Sequence, residues 1–196
     1  MRAVSLVTGR AMPLDRRDVD TDQIIPSDWL KRVERTGYGA GLFEAWRADP
    51  AFVLNDQRFR GAKVLVAGAN FGGGSSREHA AWALEDHGFR VVIAPSFGDI
   101  FRTNAIKSGL APVALPPEAI STLRGALGAR NELTVDLERL VVRHPDGMQI
   151  SFDFDPYAQE TLVHGLDDIA RTLLRGDAIT AFEATHPPRF DAHALT

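Results

Sequence analysis

Between residues 62 and 115 the chain alternates short apolar runs with segments of helical spacing, and few folds accept that alternation. Residues 62–67 (AKVLVA), bounded by Gly61 and Gly68, fit a strand buried on both faces. A glycine-rich loop follows, and over residues 76–87 Ala80, Ala81, Ala83 and Leu84 fall at helical spacing, with Gly88 where a helix ends. Residues 90–94 (RVVIA) predict a second buried strand, 96–108 a helix closed by Gly109, and 110–115 a third strand. Strand–helix–strand–helix–strand requires parallel pairing through right-handed crossovers, so the predicted class is α/β.

The flanks are read against that centre. Residues 3–7 (AVSLV) predict a short strand. Residues 10–41 mix charge, Pro and Gly over a length that, inside a compact domain, points to function or to poor order. Beyond Pro116, residues 117–127 predict a helix, and 133–137, 139–143 and 148–154 predict strands, the last two joined by a Pro145-Asp146-Gly147 turn. That half is expected to be antiparallel, giving a mixed sheet flanked by helices. A helical extension is expected over about 156–186, interrupted at Gly176-Asp177 and followed by a Pro187-Pro188 tail. With 196 residues and no internal repeat, the whole of 1–196 is read as one domain.

Composition narrows the chemistry. The chain has no Cys, which removes disulfides, thiolate nucleophiles and any iron–sulfur cluster held by its own sulfurs. A net charge of −4 with scattered basic residues gives no footprint for nucleic acid and no membrane patch. No apolar run is long enough to span a bilayer and no signal-peptide core is legible, so a cytoplasmic location is the default expectation.

The segment Gly68-Ala69-Asn70-Phe71-Gly72-Gly73-Gly74-Ser75-Ser76-Arg77-Glu78-His79-Ala80 lies between a predicted strand and a predicted helix. Helix-start amides are unpaired and partly positive, and glycines let a ligand approach the backbone, so a carboxylate or phosphate could be held there. Arg77 adds a planar fork suited to a carboxylate. The loop lacks the Lys of a Walker A motif, the small residue that a dinucleotide fingerprint needs at position 77, and the alternate glycines of a serine-hydrolase elbow. Ser75-x-x-Glu78 also has the spacing of a capping box, a purely structural reading that can coexist with anion binding.

Other candidates weaken on inspection. Asp18, Asp20 and Asp22 alternate like calcium ligands, but Gln23 and Trp29 stand where an EF-hand needs Gly and Glu, so a solvated turn is expected for Asp18 and Asp20. The six histidines show no metal-ligand pairing near a carboxylate, and His79 reads as structural. Trp29, Leu30 and Val33 could be the core side of a short helix, whereas Lys31, Arg32 and Arg35 beside them would suit an acidic substrate.

The run Asn70-Phe71-Gly72-x-Gly74-Ser75-Ser76-Arg77-Glu78-His79-Ala80 resembles the signature of the swivelling domain of the aconitase superfamily. Asp18-Val19-Asp20-Thr21-Asp22-Gln23-Ile24-Ile25-Pro26, Arg35-Thr36-Gly37-Tyr38-Gly39, Val92-Ile93-Ala94-Pro95-Ser96-Phe97-x-Asp99-Ile100-Phe101 and Gly165-Leu166-Asp167 resemble, in order, the free-standing bacterial small subunits of that superfamily. Gly73 departs from relatives that often carry Cys there. The resemblance implies a swivelling β/β/α fold and a hydro-lyase of leucine biosynthesis that converts 2-isopropylmalate to 3-isopropylmalate through isopropylmaleate. It implies no cofactor on this chain, a [4Fe-4S] cluster on a separate large subunit, and a heterodimer acting on a small dicarboxylate.

Carried over by position, the resemblance makes Ser75 the catalytic base and Asp22 an acidic residue that orients it. Ser76 and Arg77 become substrate-carboxylate ligands, and the loop over residues 26–37, with Trp29, Leu30, Lys31 and Arg32, becomes the substrate-selecting segment. Homoaconitate, citraconate or methylmalate chemistry on the same architecture, or a non-catalytic carboxylate-binding module, are the alternatives.

Overall fold

A computed structural model describes residues 1–32, 34, 36–127 and 131–186 of the chain; Val33, Arg35 and the Pro187-Pro188 tail lie outside it. Seven strands form one sheet: β1 (Leu6–Pro13), β2 (Val64–Val66), β3 (Val91–Ala94), β4 (Ala111–Ala114), β5 (Glu132–Asp136), β6 (Val141–Arg143) and β7 (Gln149–Ser151), in the order β4-β3-β2-β1-β5-β6-β7. The four strands from β4 to β1 are parallel, and β5, β6 and β7 join antiparallel on the far side of β1. The mixed α/β sheet expected from the sequence is therefore present.

Strand alternation explains why β2 and β3 read as near-continuous apolar runs. Leu65, Val92 and Ala94 enter a core on one face of the sheet, while Val64, Val66, Val91 and Ile93 enter a second core on the other. The first core is covered by α3 (Glu78–His87) and α4 (Asp99–Ser108) through Ala80, Ala81, Leu84, Phe101 and Ala105. The second is covered by α5 (Pro117–Leu127) and α6 (Pro156–His164) through Ile120, Leu123, Leu127 and Leu162. Helices α3 and α4 each end on a glycine in the left-handed region, Gly88 and Gly109, as expected. Pro112 is tolerated in β4 because that strand lies at the sheet edge.

Two elements differ from expectation. The first strand runs over Leu6–Pro13, further along than residues 3–7, although TGRAMP is a poor strand sequence. It pairs on both sides, Leu6–Arg10 with β5 and Ala11–Pro13 with β2, and this pairing overrides local propensity. The C-terminal helix breaks between α7 (Asp168–Leu173) and α8 (Gly176–Thr185), with Leu174 and Arg175 at the join, two residues ahead of the expected Gly176-Asp177 interruption.

The chain divides into two compact units, Met1–Gly165 and Leu166–Thr196. Within the second, Ile169, Leu173, Leu174 and Phe182 are all exposed.

The stretch between β1 and β2 has little regular structure but is well packed. It holds α1 (Thr21–Ile24), α2 (Glu44–Arg47) and short 3-10 turns at Ser27–Lys31, Tyr38–Gly41, Val53–Asn55 and Gln57–Phe59. Ile24, Ile25, Tyr38, Leu42 and Phe43 are fully buried in the first core. Its apolar residues are spread without period, which explains why it reads as irregular from the sequence.

Candidate active site

The glycine-rich loop leaves the C-terminal end of β2 and is threaded between two neighbours. On one side Asp18 N–H donates to the Ala69 carbonyl at 2.8 Å, Gly72 N–H to Val19 at 2.7 Å, and Thr21 N–H to Gly73 at 3.0 Å. On the other, Phe71 N–H donates to Ser96 at 3.0 Å and Gly98 N–H to Phe71 at 2.9 Å. The loop is thus held like a short extra strand, with isolated bridges Asp20–Gly73 and Phe71–Phe97. Gly72 is required twice over: its φ is +76°, and a Cβ there would come within 2.2 Å of the Phe101 ring. A Cβ at Gly73 would meet its nearest neighbour, the Asn70 side chain, at 3.4 Å, an ordinary contact, so the position tolerates a side chain or its absence.

Asp20 is partly exposed and bonds to its local backbone, as a turn residue would, but it does so as a helix cap. It caps α1, accepting from Gln23 N–H at 2.7 Å, while its own N–H donates to the Gln23 side chain at 3.1 Å. This complete capping box makes Asp20-x-x-Gln23 the signal that the sequence reading passed over. Asp18 is held with φ +54° and accepts from Asn70 Nδ2 at 3.1 Å and Arg17 Nε at 2.9 Å, and these bonds keep its carboxyl below the ordinary carboxylate range.

The box expected at Ser75-x-x-Glu78 does not form. Helix α3 begins at Glu78 with Arg77 as its N-cap in extended geometry, and no side chain caps it. The physical reason is upstream: Gly74 turns with φ +86°, and the Ser75 carbonyl is taken by the Thr21 hydroxyl at 3.0 Å, so the helix starts later than the spacing suggests. The Ser75 side chain is therefore left exposed beside an uncapped helix start, where amides favour an anion.

Asp22 and Arg77 meet: Arg77 Nη1 donates to Asp22 Oδ1, with the arginine side chain 16% exposed and the carboxylate 54% exposed. The carboxylate expected to orient Ser75 instead engages the guanidinium next to it. His79 packs against Tyr38 and Trp82, with ring centroids 5.2 and 4.7 Å away. Its burial, reinforced by the Arg77 cation against the pull of Glu78, holds its imidazole below the ordinary value. It is structural, as expected.

Residues 29–32 lie along the Ser27–Lys31 turn and its end; none of its side chains is fully buried, but Trp29 is partly buried and packs against the first core, as the core-side reading expects, while Leu30 is only half-buried. Lys31 donates to Asp28 at 2.8 Å, and Arg32 stacks 4.7 Å from the Trp29 ring centroid. At its far end this segment is fixed to α3, since Gly39 N–H donates to the Asp86 carboxylate at 2.8 Å and the Gly39 carbonyl accepts from His87 Nδ1 at 3.3 Å. Thr21 and Tyr38 carry much of this arrangement; both stand in segments that resemble the family, but neither is assigned a role from the sequence.

A separate cleft of about 610 Å³ is lined by Arg16, Arg17, Gly68, Ala69, Pro95 and Arg124. Its cations are already engaged: Arg124 with Asp15, Arg17 with Asp18, and Arg16 over Trp46. For metals the donor set is poor. The sequence has no Cys, and among the described residues no three His, Asp or Glu gather as a metal would need. These residues do not fit an iron–sulfur cluster.

A half-parallel sheet that presents a glycine loop and an exposed serine at an uncapped helix start defines an α/β domain of mixed-sheet type. The family model described as Aconitase C-terminal domain matches residues 1–118, and that described as LeuD_N matches residues 128–156. The chain belongs to the aconitase C-terminal domain family and, within it, to the 3-isopropylmalate dehydratase small subunits. A protein of that name from Parafrankia sp. is 55% identical over 189 residues, covering 95% of this chain and 96% of the relative. Another, from Acidothermus cellulolyticus, is 57% identical over 182 residues, covering 92% of each. The solved 3-isopropylmalate dehydratase (leuD) of Methanocaldococcus jannaschii superposes with a TM-score of 0.67 at 26% identity, over 88% of this chain and 99% of that one.

Proposed function

We infer that this chain is the half of a hydro-lyase that binds the carboxylates of 2-isopropylmalate and moves the proton in its isomerisation to 3-isopropylmalate, a step of leucine biosynthesis. The observation that carries this reading is the exposed Ser75 hydroxyl beside the Arg77 fork and an uncapped helix start.

Ser75 acts as the base that takes the proton from the carbon next to a substrate carboxylate. A serine hydroxyl is a weak acid, so its alkoxide needs the uncapped α3 amides and the Arg77 charge nearby, in a site closed to water. Arg77 and Ser76 hold the carboxylate. Asp22 acts through Arg77, keeping the guanidinium extended until substrate replaces it. The loop over residues 26–37 selects the substituent, with Trp29 and Leu30 as its apolar part and Lys31 and Arg32 as its basic part.

We assign the departing hydroxyl group to a large subunit, the partner that the relatives' name implies. We place the [4Fe-4S] cluster there and the complex, a heterodimer, in the cytoplasm. Among the described residues no helix is long and apolar enough to cross a membrane.

The test is anaerobic isopropylmalate dehydration by this chain, by the cluster-bearing large subunit, and by both together. Activity only in the mixture supports the reading. An intact complex that ignores isopropylmalate but hydrates homoaconitate or citraconate, or dehydrates methylmalate, reassigns the substrate.

A further inference from the structure

The loop that faces the substrate in this reading is tied down by a residue no motif pointed to. The Trp29 indole N–H donates to Glu44 Oε2 at 2.6 Å. Gly41 lies against the ring, and a Cβ there would come within 2.4 Å of the indole carbons. Arg32 stands 4.7 Å from the ring centroid. The edge and the surface of the indole are therefore both engaged by this chain.

Glu44 is itself held in place. It follows Phe43, which is fully buried and whose N–H donates to the Ile24 carbonyl at 2.8 Å. Ile24 is the last residue of α1, and at the other end of that helix the Thr21 hydroxyl donates to the Ser75 carbonyl at 3.0 Å. Hydrogen bonds and one helix turn thus link Ser75 to Glu44, and Glu44 to Trp29. The same short helix sets the position of the serine and of the loop.

We propose that Glu44 is a positioning residue for substrate choice: by accepting the Trp29 N–H above Gly41 it fixes the Ser27–Lys31 turn relative to Ser75, and so sets the room for the alkyl substituent. This rests on reading Ser75 as the base and residues 26–37 as the substrate loop. A bound indole restricts the turn before substrate arrives, and such preorganisation is felt in binding and discrimination more than in the chemical step.

The experiment uses the full chain with its large subunit and compares Glu44→Ala with Glu44→Gln, which keeps an acceptor for the indole. Turnover is measured on malates carrying 2-isopropyl and 2-methyl groups, and amide hydrogen exchange is followed over the Ser27–Lys31 turn. Glu44→Ala is expected to lower the isopropyl-over-methyl ratio of kcat/KM about three- to tenfold, through KM, with kcat within about twofold and exchange in the turn accelerated. Glu44→Gln is expected to retain most of the ratio and the slow exchange.

An unchanged ratio in Glu44→Ala, or equal damage from both variants, overturns the proposal. If the unaltered complex processes neither malate, the functional reading fails instead. The tie between Glu44 and the turn is then judged by exchange alone, and exchange unchanged in Glu44→Ala refutes it.

Discussion

The roles proposed for Ser75, Arg77 and Asp22 differ at the residue scale in a way that kinetics separates. Ser75→Ala removes the proposed base but no carboxylate contact, so kcat is expected to fall by about 10²–10⁴ with KM nearly unchanged. Arg77→Lys keeps the charge and loses the planar fork. Charge-assisted hydrogen bonds contribute about 1.5–3 kcal/mol, so KM is expected to rise at least about tenfold. Because the Asp22 carboxylate engages Arg77, Asp22→Asn is expected to change KM more than kcat. A carboxylate that oriented Ser75 would show the opposite split, and steady-state measurement of each parameter decides between them. The sequence made the residue types at this site legible, since Gly-rich loop, serine and arginine stand together. It did not make the Asp22–Arg77 pair legible, because that contact spans 55 positions and depends on how α1 is laid against the loop.

At the scale of elements, the glycine loop is a packed structure and not a flexible one. Gly72→Ala adds a Cβ that meets Phe101 at 2.2 Å and forces a positive φ on a side-chain residue. Strain and overpacking together are expected to cost roughly 2–4 kcal/mol, seen as a lower urea midpoint, and the loss of activity should follow the loss of fold.

The junction of α3 with the Tyr38–Gly41 turn carries a pH signature. Burial, with the nearby Arg47 cation, holds the His87 imidazole below its ordinary 6.5, against the bond to Gly39 and the Asp86 carboxylate. The neutral ring is the folded form, so its contribution is complete above about pH 6.5 and is lost as pH falls through the lowered folded value. Replacing His87 with Asn is expected to lessen the loss of stability as pH falls below about 6.5, measured by urea titration at each pH.

The buried strands β2 and β3 and the helices after them were readable because apolar runs, spacing and glycine stops agree. The start of α3 was not: Thr21, a tertiary contact, takes the Ser75 carbonyl and delays the helix. The structure between β1 and β2 was hidden for the same reason, its aromatic core residues being placed by packing without a repeating interval.

At the scale of the whole molecule, the sheet and its two cores carry the proposed catalytic groups to the C-terminal ends of parallel strands, where α/β folds place ligands. Ser75 and Ser76 remain exposed there, and the chain has no Cys with which to hold a cluster. A serine base in open water would have little power, so the proposed mechanism requires that a partner cover the site. The most direct measurement is turnover of 2-isopropylmalate, under anaerobic conditions, by the large subunit combined with either the unaltered chain or Ser75→Ala, with complex formation checked by sedimentation. Both mixtures should form the complex, and only the unaltered chain should support turnover, the variant falling by about 10²-fold or more. A Ser75→Ala complex that turns over at the unaltered rate would mean that this loop only captures a carboxylate, and that the base lies elsewhere.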